Sequence, residues 1–281
     1  MSVAPSPSRT SVKELFDLKG RFAIITGAGQ GIGLDVAHAF AEQGANVAIW
    51  YNTNGAAVDR AAEISKKYGV VCKAYKVGVT DEQEVINAVD EQIKEFGGKL
   101  DIFVANAGVA WTQGPILGTD PSDPSSRPDI SCYERIIKTN VDGVFYSARA
   151  AGAHFRRQNL EDPSFRGSFI ATASMSGHIV NLPQLQAVYN MSKAAVVHFC
   201  RSLAVEWAGF ARANSISPGY IITEIGNFVP LEQKKQWHEK TPMRREGYTH
   251  ELKGAYLLLA SDAGSYMTGS DIIVDGGYCC P

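Results

Sequence analysis

The chain has 281 residues, with 27 Lys or Arg against 29 Asp or Glu and a net charge of −2. This near-neutral balance excludes a protein whose main partner is the nucleic-acid backbone, and a hydrophobic fraction of 45% excludes global disorder. No apolar run approaches the ~20 residues of a membrane-spanning helix. The five cysteines show no metal-ligand spacing. We therefore expect a globular protein with no nucleic acid, no membrane segment and no metal.

Strands and helices alternate after an N-terminal segment rich in proline and serine. Residues 1–14 predict a flexible tail, and residues 15–281 predict one domain. The tail lacks the apolar segment of a secretory signal, and the cysteines are interpreted as free thiols of a reducing compartment. The predicted strands are Arg21–Thr26, Asn46–Tyr51, Val70–Val77, Leu100–Ala105, Gly167–Ala173, Ala213–Ser217 and Ile272–Val274. The predicted helices are Gly33–Gly44, 55–68, Asp81–Phe96, a long helix from about Ile130, and Ala187–Gly209.

This alternation predicts an α/β fold with a doubly wound parallel sheet of about seven strands and helices on both faces. Ligands of such sheets bind at the carboxyl ends of the strands. Residues 110–129 interrupt the alternation with four prolines and leave from the end of the fourth strand. Long loops in compact domains are uncommon and often functional. This loop is therefore either a plain surface loop or part of a substrate rim.

A glycine-rich turn at residues 26–33 (TGAGQGIG) follows the first strand and opens the first helix. Glycines let the backbone approach a pyrophosphate closely. The helix N-terminus adds free N–H groups and a partial positive charge. The strand–turn–helix context favours dinucleotide binding over a purely structural turn.

The end of the second strand indicates which dinucleotide binds. An NAD-binding unit usually places a carboxylate there, ~20 residues after the glycines, to bond the ribose 2′-hydroxyl. Here the strand continues into Asn52, Thr53 and Asn54, and no acid occurs at residues 43–58. These side chains could donate to a 2′-phosphate, although the nearest cation, Arg60, lies some way along the next helix. We therefore favour NADP(H) over NAD.

Tyr189 and Lys193 lie four residues apart on a predicted helix and therefore share a face. A tyrosine with a pKa of ~10 is a poor acid or base near neutral pH. An ammonium group one turn away favours the phenolate and lowers that pKa, which makes the pair a candidate proton-transfer device. Taken alone, such a pair is more often an ordinary feature of a helix surface.

The surrounding motifs favour the functional interpretation. They are Asn106-Ala107-Gly108 after the fourth strand, Asn140-Val141-Asp142-Gly143 in the long helix, Ser174-Met175-Ser176-Gly177 after the fifth strand, Pro218-Gly219 after the sixth, and Asp275-Gly276-Gly277 after the last. Together with the glycine turn and the Tyr189–Lys193 pair, they resemble the short-chain dehydrogenase/reductase family over about residues 18–278. The resemblance implies a single-domain Rossmann fold and hydride transfer between NADP(H) and a small carbonyl or alcohol substrate.

The resemblance implies roles for four catalytic residues. Tyr189 would be the general acid and base, Lys193 would lower its pKa and bind the nicotinamide ribose, and Asn140 would anchor a water that leads protons to Lys193. A serine near the end of the fifth strand would bind the substrate oxygen. Ser176 lies thirteen residues before Tyr189, the commoner family spacing, whereas Ser174 directly follows the strand. We choose Ser174 because the strand end fixes geometry better than loop length does.

The resemblance also implies cofactor contacts. Asn106 and Gly108 would line the adenine side, and Ile221 and Thr223 would meet the carboxamide. Where the family often has an aspartate that touches adenine, this chain has Gly78, so that polar contact should be missing. The expected cofactor-binding residues are Gly27, Gln30, Gly31, Ile32, Asn52, Thr53, Asn54, Val79, Asn106, Gly108, Tyr189, Lys193, Pro218, Ile221 and Thr223.

The expected substrate rim comprises residues 110–129, 178–186 and 220–242. Its amides and aromatic rings favour a hydroxylated substrate over a steroid or a long acyl chain. The rim candidates are Trp111, Ser176, His178, Gln184 and Tyr220.

A closer resemblance rests on residues 174–178 (SMSGH), 217–221 (SPGYI) and 251–256 (ELKGAY). These segments resemble those of fungal ketose reductases, which include NADP-dependent mannitol dehydrogenases and L-sorbose reductases. This implies interconversion of a ketose and its polyol by a cytoplasmic homotetramer, or a dimer. The alternatives are an NADPH-dependent carbonyl reductase acting on a non-sugar ketone and a cofactor-binding protein without turnover.

Overall fold

Seven parallel strands form the main sheet within residues 11–224 and 230–280, which the computed structural model describes. They are β1 (Phe22–Ile25), β2 (Asn46–Tyr51), β3 (Cys72–Lys76), β4 (Ile102–Ala105), β5 (Gly167–Thr172), β6 (Ala211–Pro218) and β9 (Asp271–Val274). A small second sheet pairs β7 (Ile221–Ile222) with β8 (Gly247–Tyr248). The predicted α/β fold with seven parallel strands is confirmed, whereas the small sheet was not predicted.

Helices cover both faces of the main sheet. The α-helices in the described part of the chain are α1 (Val12–Leu15), α2 (Gly31–Glu42), α3 (Ala57–Tyr68), α4 (Glu82–Glu95), α5 (Ile130–Ile137), α6 (Gly143–Glu161), α7 (Ala187–Glu206), α8 (Leu231–Lys240) and α9 (Lys253–Ala260). One apolar cluster, which includes Phe103 and Phe155, packs α4, α6 and α7 against the sheet. A second, which includes Ile25 and Tyr256, packs α2, α3 and α9 against the other face. In the described ranges, no helix has both the length and the hydropathy to cross a membrane.

The strands lie in the order β3-β2-β1-β4-β5-β6-β9 across the sheet. Successive strands are added on one side of β1 up to β3 and on its other side from β4 onward. The chain moves from β1 outward to β3, then returns to place β4 on the free side of β1, with Ile25 beside Val104. The connections on the two sides of this point diverge, and a crevice opens at the carboxyl ends of the strands. The fold therefore places its ligand crevice beside the glycine turn that follows β1.

The helix expected from about Ile130 is interrupted. A π-helical segment at Lys138–Asp142 separates α5 from α6 and contains Asn140. The Asn140 side chain forms two hydrogen bonds with the backbone after β4. Its Oδ1 accepts from Val109 N at 2.8 Å, and its Nδ2 donates to Val109 O at 3.0 Å. Single π turns of this kind frequently occur at functional sites.

The loop at residues 110–129 is anchored at its start. Trp111 is buried, its Nε1 donates to Gly114 O at 2.7 Å, and it shares a small cluster with Ile136 of α5 and Val188 of α7. Residues 1–10 of the expected tail lie outside the described part of the chain. The rest of that segment leads into α1, a single turn.

Candidate active site

A cavity of about 690 Å³ lies at the carboxyl ends of the strands, in the size range of ligand sites. Its lining joins the glycine turn, the end of β2, the segments after β3 and β4, and one face of α7. The expected site residues in this lining are Gly27, Gln30, Gly31, Ile32, Asn52, Thr53, Asn54, Val79, Asn106, Gly108, Ser174, Tyr189, Lys193, Pro218, Ile221 and Thr223. The fold thus gathers residues that are spread over almost two hundred positions.

The glycine turn forms a close-fitting cradle. Gly27 has a φ of 63°, and a Cβ there would lie 2.8 Å from Ala107 Cα. A Cβ on Gly33 would lie 2.5 Å from Asn106 Nδ2. Both positions therefore require glycine. Helix α2 begins at Gly31, so its first N–H groups lack helical partners at the cavity. This arrangement fits the pyrophosphate of a dinucleotide.

The Asn106 side chain is fixed by hydrogen bonds to the glycine turn and to β5. Its Nδ2 donates to Thr26 O at 3.0 Å and to Gly27 O at 3.2 Å, and its Oδ1 accepts from Thr172 Oγ1 at 3.1 Å. Thr172 Oγ1 also lies 2.7 Å from Tyr256 OH. Asn106 lines the cavity, and its amide also ties the glycine turn to β5. Its place on the adenine side of the cofactor stays a prediction.

Ser174 and Ser176 occupy different environments. Ser174 lines the cavity, accepts a hydrogen bond from Ser176 N at 3.1 Å and is hydrogen-bonded to Tyr189. Ser176 Oγ accepts from Gln186 Nε2 at 3.1 Å and is buried. The structure therefore places Ser174 beside the tyrosine and turns Ser176 toward the amide of Gln186.

Tyr189 and Lys193 lie one turn apart on α7 and are both buried. Lys193 Nζ lies 5.7 Å from the centroid of the Tyr189 ring and donates to Thr172 O at 2.8 Å. Burial lowers the pKa of Lys193 to about 8. Burial also raises the pKa of Tyr189, while the hydrogen bond with Ser174 acts in the opposite direction. The expected lowering of the tyrosine pKa by Lys193 is thus not the main effect here.

Asn140 lies close to Lys193 without bonding to it. Besides Val109, it contacts Ser192 of α7, because its Nδ2 lies 3.2 Å from Ser192 Oγ. Gly108 occupies the space between the two side chains: a Cβ there would lie 3.3 Å from Asn140 Oδ1 and 3.5 Å from Lys193 Nζ. Asn140 in the π-helical segment is therefore separated from Lys193 only by Gly108.

The end of β2 is polar and lacks acidic groups. Asn54 Nδ2 donates to Gln30 Oε1 at 2.6 Å, and Asn54 Oδ1 accepts from Ala56 N at 3.2 Å. Asn52 and Thr53 are exposed. In the described lining the single carboxylate is Glu224, with its Oε2 3.8 Å from the position of a Cβ on Gly31. Among the described residues, no acid therefore lines the end of β2, where a 2′-phosphate is expected.

The five rim candidates do not belong to the described lining of this cavity. Trp111 instead borders a second, apolar cavity of about 380 Å³. His178 Nε2 lies 2.9 Å from Asp271 Oδ2, and Tyr220 stacks on Trp237 with ring centroids 3.9 Å apart. The Oε1 atom of Gln184 is buried without a partner in the described residues. Residues 225–229 of the expected rim lie outside the described chain.

Several lining residues were missed by sequence reasoning. Among them are Arg135 of α5 and Thr139 of the π-helical segment, which both line the cavity. Glu224, which belongs to the expected rim at residues 220–242, lines it as well. The four-residue spacing of Arg135 and Thr139, directly ahead of Asn140, is a signal that could have identified them. Arg60 was set aside as distant, but it contacts the glycine turn through a hydrogen bond from Nη1 to Gly29 O.

Known proteins match this chain over nearly its whole length. A family model described as enoyl-(acyl carrier protein) reductase matches residues 27–279. An L-xylulose reductase of Hypocrea jecorina is 60% identical over 99% of this chain and 96% of its own length. A sorbose reductase of Candida albicans is 50% identical over 100% of this chain and 96% of its own. The solved structure of an NADPH-dependent 3-quinuclidinone reductase from Rhodotorula rubra superposes with a TM-score of 0.87 at 40% identity, covering 99% of this chain and 100% of that one.

Proposed function

The chain belongs to the short-chain dehydrogenase/reductase family, and we propose that it interconverts a ketose and its polyol with NADP(H) as cofactor. The observation that carries this proposal is that Ser174, Tyr189 and Lys193 line the same cavity as the glycine turn. The names of two relatives, an L-xylulose reductase and a sorbose reductase, support a ketose as the substrate.

The residues present fit a dinucleotide cofactor. The cradle around Gly27 and the start of α2 would hold its pyrophosphate, and the acid-free end of β2 would hold the adenosine ribose. Lys193 and Thr223 also line the cavity, and the resemblance assigns them to the nicotinamide and its ribose. When bound, NADPH supplies the hydride for carbonyl reduction.

Tyr189 is the proposed general acid for reduction. Because burial raises its pKa, the phenol keeps its proton at neutral pH and can donate it to the carbonyl oxygen. Ser174 is positioned by Ser176 N and bonds to Tyr189, so it can orient both the phenol and the substrate oxygen. The Lys193 ammonium one turn away stabilises the phenolate that proton transfer leaves behind. Asn140, next to Lys193, is proposed to support the route by which the proton is replaced.

The proposal is tested by NADPH oxidation with D-fructose, L-sorbose, D-xylulose, L-xylulose and an aryl ketone, each repeated with NADH. High kcat/KM with one ketose and NADPH is expected. Turnover of every ketose below that of the aryl ketone would contradict the ketose assignment. A preference for NADH would contradict the cofactor assignment.

A non-sugar ketone is the second candidate substrate. It is favoured by the 40% identity with a 3-quinuclidinone reductase over nearly the whole chain. A protein that binds cofactor without turnover is the third possibility, and the complete set of Asn140, Ser174, Tyr189 and Lys193 argues against it. Tyr189→Phe should abolish turnover and leave NADPH binding intact. Turnover that survived this change would rule out Tyr189 as the proton donor.

We also propose a homotetramer in the cytoplasm, as the family resemblance implies. Large apolar side chains are exposed on the two long helices, with Phe145 and Leu160 on α6 and Val205 on α7. Light scattering should therefore give four times the mass of one chain, and a dimer mass would replace this proposal. Imaging of a fluorescent fusion in a fungal cell tests the location.

A further inference from the structure

Ser174 belongs to a short turn after the end of β5. One turn of 3₁₀-helix at Met175–Gly177 lies between Ser174 and His178. Ser174 Oγ accepts from Ser176 N at 3.1 Å, and His178 N donates to Met175 O at 2.9 Å. These hydrogen bonds make residues 174–178 one compact unit, so a shift at one end also moves the other.

The far end of this turn is fixed to the edge of the main sheet. His178 Nε2 lies 2.9 Å from Asp271 Oδ2 at the start of β9 and 3.2 Å from Ser217 Oγ on β6. The Asp271 side chain is only 4% exposed, and its Oδ1 accepts from Ser217 Oγ at 2.9 Å and from Ser215 Oγ. A buried carboxylate is costly without such donors. The contact between His178 and Asp271 therefore joins the turn to the two last strands of the sheet.

The other side of the turn packs closely against α7. A Cβ on Gly177 would lie 3.0 Å from Lys193 O, so the backbone of the turn lies directly on the helix. The turn thus lies between the helix that carries Tyr189 and the strand that carries Asp271. A shift of His178 away from β9 would therefore change how Ser174 is placed relative to Tyr189.

We propose that His178 is a positioning residue for ketone reduction, which through its contact with Asp271 holds Ser174 in place beside Tyr189 and the substrate oxygen. This inference rests on the proposed role of Ser174. His178 lies outside the described cavity lining, so it acts through the turn and not by touching substrate or cofactor. A displacement of about 1 Å at a reacting group can cost roughly 10²-fold in rate, so a contact of this kind can control turnover.

The test compares kcat for ketose reduction in His178→Leu and His178→Gln. Leucine removes the hydrogen bond, whereas the glutamine amide can donate from near the position of Nε2. We expect His178→Leu to lower kcat about 10-fold and His178→Gln to stay within about threefold of the wild-type value. The Kd for NADPH, measured from the fluorescence of the reduced nicotinamide, should change less than about twofold in both variants.

A double-mutant cycle with Ser174→Ala separates positioning from a general structural role. If His178 acts through Ser174, adding His178→Leu to Ser174→Ala should lower kcat by less than a further factor of about two. Effects that multiply would show that His178 acts by another route and would overturn the proposal. If His178→Leu does not fold, His178→Asn takes its place in the cycle, because its side chain is too short to reach Asp271 from the same backbone.

His154→Leu is the matched control. His154 Nε2 lies 2.6 Å from Asp90 Oδ1 between α6 and α4, its side chain is 19% exposed against 24% for His178, and it lies outside the described cavity lining. Its loss should leave kcat and the Kd for NADPH unchanged.

Three results would overturn the positioning role of His178. They are an unchanged kcat in His178→Leu, a kcat loss no larger than that of His154→Leu, and a Kd for NADPH that rises in parallel with the loss of kcat. A wild-type kcat in Ser174→Ala would contradict the proposed role of Ser174 itself, and the positioning role would fall with it.

Discussion

Burial acts on Tyr189 and Lys193 in the same sense, because it favours the neutral form of each. The pKa of Tyr189 is raised and that of Lys193 is lowered to about 8, with desolvation as the first cause in both cases. Near neutral pH the tyrosine therefore keeps its proton and the lysine keeps its charge. This is the pair of protonation states that ketone reduction needs.

A pH profile follows from these two shifts. We expect kcat/KM for ketone reduction to fall as pH rises through about 8, because the ammonium of Lys193 is complete below that value and lost above it. Tyr189 should remain protonated in this range. The measurement is a kcat/KM profile recorded together with tyrosinate absorbance, with Tyr189→Phe as the spectral control. A tyrosinate signal that rises with the activity loss, and is missing from the control, would assign the limb to Tyr189 instead.

The two serines should differ in their effect on catalysis. Ser174→Ala should lower kcat by roughly 10²- to 10³-fold, the usual cost of losing a hydrogen bond to the reacting oxygen. Ser176→Ala should have a smaller effect, because Ser176 Oγ contacts Gln186 and lies outside the described lining. Both variants are compared by kcat at saturating substrate, with NADPH affinity as the check on folding. The reverse order would assign the role to Ser176.

Glu224 brings a negative charge to the helix end that would hold phosphate. Its Oε2 lies near Gly31, and like charges repel most strongly at low ionic strength. Glu224→Gln should therefore lower the Kd for NADPH by about twofold to tenfold, or roughly 1 kcal/mol. The gain should shrink as salt is added. A gain that is independent of salt would point to a cause other than charge.

At the scale of elements, the glycine turn has no room for a side chain at Gly27. Gly27→Ala should abolish cofactor binding, because the new Cβ would meet the Ala107 backbone at 2.8 Å at a positive φ. The control is Gly254→Ala within α9, where a Cβ would meet nothing within 4 Å and φ is not positive. That change should raise stability by about 1 kcal/mol. Cofactor titration and thermal unfolding of both variants check the contrast, and cofactor binding by Gly27→Ala would refute it.

The predicted elements differ from the observed ones mainly where side chains bond to distant backbone. Apolar runs and glycines were sufficient to predict the strands from β1 to β6, since those signals are local. The π-helical segment at Lys138–Asp142 was not predictable from its own residues, because it accompanies hydrogen bonds between Asn140 and Val109. The small sheet of β7 and β8 pairs two residues on each strand and has no periodicity to detect.

At the scale of the whole molecule, the strand order and the ordered motifs made the composition of the cavity predictable. The direction of individual side chains was not. Asn106, His178 and Tyr220 were all expected at the site, yet each forms a hydrogen bond with a residue far away in sequence. Arg60 was not expected at the site, yet its side chain extends from α3 to Gly29 of the glycine turn, thirty-one positions earlier in the chain. Contacts of this kind depend on the packing of elements, which local patterns do not encode.

The order of the strands also sets the order in which a growing chain can complete its sheet. β1 can pair with β2, and β2 with β3, once residue 76 has been synthesised, but the other edge of β1 waits for β4 at residues 102–105. Until then Ala23, Ile24 and Ile25 present an apolar strand with unpaired backbone groups. Such edges invite association with other chains, and N-terminal segments generally fold first during synthesis. Nascent chains that end between β3 and β4 should therefore be prone to aggregate and dependent on chaperones.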